Sequence, residues 1–261
     1  MHMIAKSWTI RLGVLVPSSN TALEPLTHAI LDSINAHLAK SPNPVKVKVT
    51  AHFARFPVTT ISLDPNALSQ FDLPPIIAAA KLLAHAKVDV IGWSGTSAGW
   101  LGFERDEELC KEIEKETGIK ATSSVLALNK ALEIWGIKKL GLITPYTDDV
   151  QAKIIKNYEG IGVQIGAAEK HLEIKENTDI AQVSEAVLDS CIEEIKSANE
   201  VEALTTFCTN LVAAQRTPFW EEKHGVPVFD TVTTVIWDML RMCQLESRIK
   251  GAEGWGMIFE K

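Results

Sequence analysis

The residue best suited to moving a proton in this sequence is a cysteine placed where a strand gives way to a turn. Cys208 follows the apolar run Ala203-Leu204-Thr205-Thr206-Phe207 and precedes Thr209-Asn210. A thiol at such a strand end meets backbone N–H groups and the start of the next helix, both of which favour thiolate. A cysteine also serves as a small buried hydrophobe, and its position alone leaves that role open for Cys208. Cys110, Cys191 and Cys243 fall within helical patterns and read as core. Gly95-Thr96-Ser97 offers N–H groups and two hydroxyls after a strand, a cradle for a carboxylate or enediolate, or else a turn and a helix cap. Pro17-Ser18-Ser19-Asn20-Thr21 has the same two readings, because Asn20 or Thr21 can simply cap the helix that follows. Tyr146, one of two tyrosines, follows Pro145 at a strand end, where its hydroxyl could donate to an oxyanion or its ring could only pack.

Other chemistries lack their residues. There is no G-x-G-x-x-G after a strand and no phosphate-binding G-x-x-x-x-G-K-[ST], so nucleotide binding has no support. The seven histidines show no metal spacing. Gly92-Trp93-Ser94-Gly95 lacks the closing glycine of a serine hydrolase elbow. Against 33 acidic residues stand 26 basic ones, a formal charge of −7, without a basic cluster to follow a phosphate backbone. No apolar run approaches the ~18 residues that span a bilayer, and residues 1–8 lack the apolar core of a signal peptide. The four cysteines form no C-x-x-C pair in a chain of 261 residues, so reduced thiols and a cytoplasmic location are expected, with neither nucleic acid nor membrane as partner. Self-association is left open.

The elements that must position these residues follow from periodicity. With 46% hydrophobic residues the chain can close large cores. Short apolar runs at 9–16, 45–54, 88–93, 139–144, 161–165, 203–207 and 227–229 read as strands. They alternate with helical patterns at 22–37, 76–86, 106–116, 124–135, 149–158, 179–197 and 231–244, with Asp149 and Asp179 as first-turn acids or caps. This is the pattern of an α/β fold with a mainly parallel sheet. Gly13-Val-Leu-Val-Pro17 is echoed by Gly141-Leu-Ile-Thr-Pro145, an offset of 141 − 13 = 128, and Gly95-Thr96-Ser97 by Cys208-Thr209-Asn210, an offset of 208 − 95 = 113. Matches this short also arise by chance. Read as a duplication, they put all four passages at the carboxyl ends of strands, where an open parallel sheet binds its ligand.

Val16-Pro17-Ser18-Ser19-Asn20-Thr21, Gly95-Thr96-Ser97, Thr144-Pro145-Tyr146-Thr147-Asp148-Asp149 and Cys208-Thr209-Asn210 together resemble the branch of the aspartate/glutamate racemase superfamily that contains arylmalonate decarboxylase and maleate isomerase. The resemblance runs from about Arg11 to about Trp237. It implies two pseudo-symmetric α/β domains, each a mainly parallel sheet flanked by helices, with the active site in the cleft between them. The expected division is residues 8–119 with 228–261 for the first domain and 120–227 for the second. It also implies no cofactor, no metal, and a small carboxylic acid as substrate.

Racemases of that superfamily carry a cysteine on each side of the cleft. Here the second position matches Cys208, and the first falls on Gly95, which has no side chain to act as a base. Glycine followed by a later cysteine is similar to the decarboxylase. Carried over, Thr96, Ser97 and Tyr146, with N–H groups near Pro17-Ser18 and Cys208-Thr209, would hold a carboxylate that becomes an enediolate. Cys208 would then protonate it, and Trp93, Trp100 and Phe207 would form an apolar wall. Ser18-Ser19-Asn20-Thr21 and Cys208-Thr209-Asn210 look more like maleate isomerase, where Asn20, and with it Asn210, would lie at the substrate carboxylate. The resemblance therefore implies a lyase acting on a malonate-like acid. Maleate-type isomerisation or racemisation, with Ser94, Ser97 or water replacing the absent thiol, is one alternative, and a non-catalytic binder of small acids is another.

Overall fold

The computed structural model describes residues 7–41 and 45–261; most of the opening segment considered for a targeting signal, residues 1–6, lies outside them. The apolar run at 12–17 sets the first sheet. In β1 (Ser7–Pro17), residues 12–16 are buried on both faces, which a central parallel strand requires. It pairs in parallel with β2 (Lys46–Phe56) and β3 (Val90–Trp93), and β3 pairs with β4 (Ala121–Ser123). The second sheet is built the same way from β5 (Leu140–Thr144), β6 (Glu169–His171), β7 (Ala203–Thr206) and β8 (Val228–Asp230). The orders are β2-β1-β3-β4 and β6-β5-β7-β8, the same topology twice. The echo between the halves is thus a repeat of architecture.

Eight longer helices flank the sheets: α1 (Leu23–Lys40), α2 (Leu73–His85), α3 (Phe103–Thr117), α4 (Ser124–Trp135), α5 (Asp148–Gly160), α6 (Glu185–Ala198), α7 (Thr217–His224) and α8 (Thr231–Met242). α3, for example, hides one apolar stripe, burying Phe103, Leu109 and Ile113 under a surface of Glu and Lys, whereas α8 is buried on all sides from Thr231 to Leu240. Gly118 and Gly136 end α3 and α4 in the left-handed conformation, φ +71° and +70°, which costs glycine nothing.

Three expectations need correction. Residues 161–165 do not form a strand: Gly162 and Gly166 turn the chain at φ +80° and +54°, Gln164 makes one bridge to Lys139, and the pairing strand is β6. The long helix expected at 179–197 is two helices: Asn177–Ile180 holds Asp179 as a first-turn acid, and α6 starts afresh where the Ser184 hydroxyl accepts from Val187 N. The expected division at 119/120 and 227/228 does not follow the sheets, since β4 stays with the first and β8 pairs with β7 in the second. Only after β8 does the chain return, and α8 then packs on α4, β3 and α1. β4 and β6 are short and partly polar (Ala-Thr-Ser, Glu-Lys-His), so they carry no apolar signal.

Asp230 ties the return together. Its Oδ2 accepts from Thr206 Oγ1 at 2.7 Å, and Oδ1 accepts from Val232 N at 2.8 Å, capping α8. Asp230→Ala should cost about 2 kcal/mol or more in urea unfolding, a cap plus an orphaned hydroxyl; a change within error would mean that α8 is held by packing alone.

Burial also raises carboxyl pKa values: Asp106 up to about 7 and Asp230 up to about 6. Asp106 Oδ2 is buried without a hydrogen-bond partner. An acid whose pKa rises on folding stabilises fully below the ordinary carboxylate range and loses that contribution as pH climbs through its folded value. Asp106→Asn should therefore flatten the fall in unfolding free energy between about pH 4 and 7. An unchanged slope would show that Asp106 is not the group responsible.

Candidate active site

The carboxyl ends of β1, β3, β5 and β7 bring four loops together. After β1, Pro17 turns the chain, and the next N–H groups are already used: Ser18 N donates to Phe56 O at 2.8 Å, Ser19 N to Val58 O at 3.3 Å and Asn20 N to Pro17 O at 3.0 Å. Ser18, expected to offer its N–H to a carboxylate, is instead pinned to the β2 side, with its hydroxyl accepting from Val58 N. Asn20 Oδ1 accepts from Ala22 N at 3.1 Å and Leu23 N at 2.9 Å, so it caps α1. Its Nδ2 remains directed at the cleft and donates to Thr209 Oγ1 at 3.2 Å.

A second threonine crosses the cleft the other way. Thr96 Oγ1 and Tyr146 OH are 2.6 Å apart. The pairs Thr209–Asn20 and Thr96–Tyr146 are counterparts in the repeated architecture, each joining a loop of one sheet to a loop of the other. Asn210 adds a third tie: its Oδ1 accepts from Thr21 N and Ala22 N, at 3.0 and 3.1 Å, and its Nδ2 donates to Asn177 O. Its amide is therefore spent on docking and helix capping.

Cys208 is buried beside this junction, with Asn210 N 3.5 Å from its sulfur. Burial pushes the thiol up to about 11, against the lowering effects of Tyr146 and of the Asn210 and Leu211 N–H groups. The strand-end donors are present, but desolvation wins, and the group is a neutral thiol at physiological pH. Tyr146 is likewise raised by burial and by Cys208. The N–H groups of Gly95, Thr96, Ser97, Cys208 and Thr209 donate to no acceptor among the described residues. Facing loops that present unused donors can hold an oxyanion.

Pro17, Asn20, Gly95, Thr96, Ser97 and Thr209 line a cavity of ≈ 20 Å³, walled by Trp93 and Trp100. Cys208 and Tyr146 are not on this lining, although Thr96, which is, bonds the Tyr146 hydroxyl. Phe207 is not on it either: its ring lies against Gly99, where a Cβ would be 2.6 Å away, and edge-on to Tyr158. Val58, Ile61, Phe71 and Asn177 complete the wall and have no signature in the sequence, since ordinary loop residues become lining only through the meeting of the halves. Larger hollows, of ≈ 980 Å³ beside His37 and Arg248 and ≈ 770 Å³ beside Glu104 and Lys130, lie away from the strand ends. Among the described residues, no cluster of three His, Cys, Asp or Glu could hold a metal ion, and no helix is long and apolar enough to cross a membrane.

Twin parallel sheets of one topology, with a buried thiol on the loop after β7, define an α/β protein of duplicated architecture. Residues 42–257 match the family model for arylmalonate decarboxylase, and the chain belongs to that family. It is similar to the maleate isomerase of Alcaligenes faecalis, 25% identical over 94% of this chain and 95% of that one. It also resembles the arylmalonate decarboxylase of Bordetella bronchiseptica, 25% identical over 71% of this chain and 77% of the other. The crystal structure of the maleate isomerase from Pseudomonas putida S16 has the same fold, with TM-score 0.84 at 22% identity over 96% and 98% of the two chains. These relatives are enzymes, which removes the reading as a mere binder.

The space is near the volume of one water, less than a dicarboxylic acid fills, so binding such an acid requires the walls to part. They are stitched across the cleft by Ile61 N to Lys175 O at 3.0 Å, Asn177 N to Thr59 O at 3.1 Å and the antiparallel bridge Thr60–Glu176. A disulfide made by Thr60→Cys with Glu176→Cys should abolish calorimetric binding of phenylmalonate or maleate, and reductant should restore it. Binding that survives oxidation would place the entrance elsewhere.

Proposed function

We propose that this enzyme decarboxylates a small malonate-like dicarboxylic acid without a cofactor, with the thiol of Cys208 as the proton donor. The reading is carried by a buried thiol whose pKa burial raises to about 11, together with a glycine, Gly95, that has no side chain at the corresponding strand end of the other half. One carboxylate would lie on the unused N–H groups of 95–97 and 208–209, with the Tyr146 and Thr96 hydroxyls beside it. The other would stand against Trp93 and Trp100, where an apolar wall stabilises it poorly. Carbon dioxide leaves, and the electron pair of the broken C–C bond enters an enediolate held by those donors. The Sγ–H of Cys208 then passes its proton to the carbanionic carbon, and the thiolate recovers a proton from water after product release. A group that must give up a proton is useful only while it holds one, and burial keeps Cys208 in that state.

Maleate-type cis–trans isomerisation is the second reading, and the run of relatives named maleate isomerase over nearly their whole length favours it. With a single thiol it would require Cys208 as thiolate, adding to the double bond, allowing rotation about the resulting single bond, and leaving again. The raised pKa of Cys208 opposes that role in the unliganded protein.

Proton NMR in deuterated buffer separates the two, with phenylmalonate, methylmalonate and maleate as substrates. Decarboxylation predicts carbon loss with one deuteron incorporated, falling at least about 10²-fold in Cys208→Ser. Conversion of maleate to fumarate without carbon loss would overturn it in favour of isomerisation. Tyr146→Phe should lower kcat about 10²-fold with little change in KM, the loss of one donor that acts on developing charge. A change in KM alone would reduce Tyr146 to ground-state binding.

A further inference from the structure

We infer that Trp93 makes this site one-sided: its indole occupies the space of a side chain at position 95, so that protons reach a substrate only from the Cys208 side. The inference rests on the proton-transfer reading above and adds the residue that sets its facial selectivity. An ideal Cβ on Gly95 would lie 2.1 Å from Trp93 Cζ2 and 2.5 Å from Cε2 and Cη2, where real Cβ atoms keep at least 3.0 Å. Gly95 is not in the left-handed region, so its backbone does not call for glycine; the indole does. Nor is the indole free to yield. It is 1% exposed and stacks at 5.0 Å, tilted 50°, on Phe56, whose carbonyl is held by Ser18 N. The ring also lines the cavity together with Gly95, Thr96 and Trp100. A second proton-transfer group at this point of the cleft is therefore excluded by shape.

Removing the indole should reopen the position. With Gly95→Cys in a Trp93→Ala background, the introduced thiolate can take the α-proton of a 2-substituted acid, and the C–H electron pair passes into an enediolate. Cys208 Sγ–H then gives its proton to the opposite face, so one sulfur gains the proton that the other loses, and the acid is racemised.

Two measurements decide the matter. The first is a thermal cycle: Gly95→Ala should lower Tm by several degrees in the wild-type background and have almost no effect in Trp93→Ala. The second follows α-deuterium exchange and loss of optical rotation in single enantiomers of 2-phenylpropionate. Trp93→Ala/Gly95→Cys should racemise them at least tenfold faster than Gly95→Cys alone, and adding Cys208→Ser should abolish the gain. Equal Tm shifts in both backgrounds overturn the inference, and so does racemisation no faster in the double variant than in Gly95→Cys. Neither readout needs wild-type turnover, so an inactive wild type on malonates would sink the decarboxylase reading while these results still judge Trp93.

Discussion

Two threonine hydroxyls that cross the cleft in opposite directions hold the site together. Thr96 reaches Tyr146 and Thr209 reaches Asn20, so each sheet fastens a loop of the other. Because β1 corresponds to β5 and β3 to β7 in the repeated order, the two bonds are versions of one contact. Buried polar groups are costly unless satisfied, and these pairs satisfy one another only when the halves are docked. Asn210 strengthens the dependence by capping the first half's α1 from the second half's cysteine loop. The position of Cys208 is thus fixed by groups on both sides of the cleft.

That docking also decides the chemistry. A thiol at a strand end has N–H groups that would lower its pKa in a wet site, but the closed cleft withholds water, and desolvation dominates. The result is a thiol held in its protonated form, beside five N–H groups with no acceptor among the described residues. On the opposite side stands the Trp93 ring, where glycine permits its approach. The thiol, the unused N–H groups and the Trp93 wall are brought together by one docking, which the bridge Thr60–Glu176 also spans.

Much of this was readable from residues alone. Apolar runs located the central strands because parallel strands are buried on both faces, and Ser124–Trp135 was legible as a helix from its periodicity, whereas the cap by Ser123 emerged only in the structure. The four strand-end motifs marked the loops that meet. Short polar strands such as β6 were not legible, because their pairing is imposed by neighbours rather than by hydrophobicity. The roles of Ser18, Asn20 and Asn210 were legible only in part: an amide at a strand end can grip a ligand or cap a helix, and only the tertiary partner settles which it does. Asn177 and the loop residues Val58, Ile61 and Phe71 carried no signal, since each enters the cavity by virtue of the other half's position.

The most direct test of the central claim is the protonation state of Cys208 itself, followed as the difference in ultraviolet thiolate absorbance between wild type and Cys208→Ser across a pH titration. A thiol that remains protonated through neutrality and ionises only towards about 11 is the predicted result. A thiolate already formed at neutral pH would contradict the account, because a sulfur without its proton cannot be the acid that completes decarboxylation.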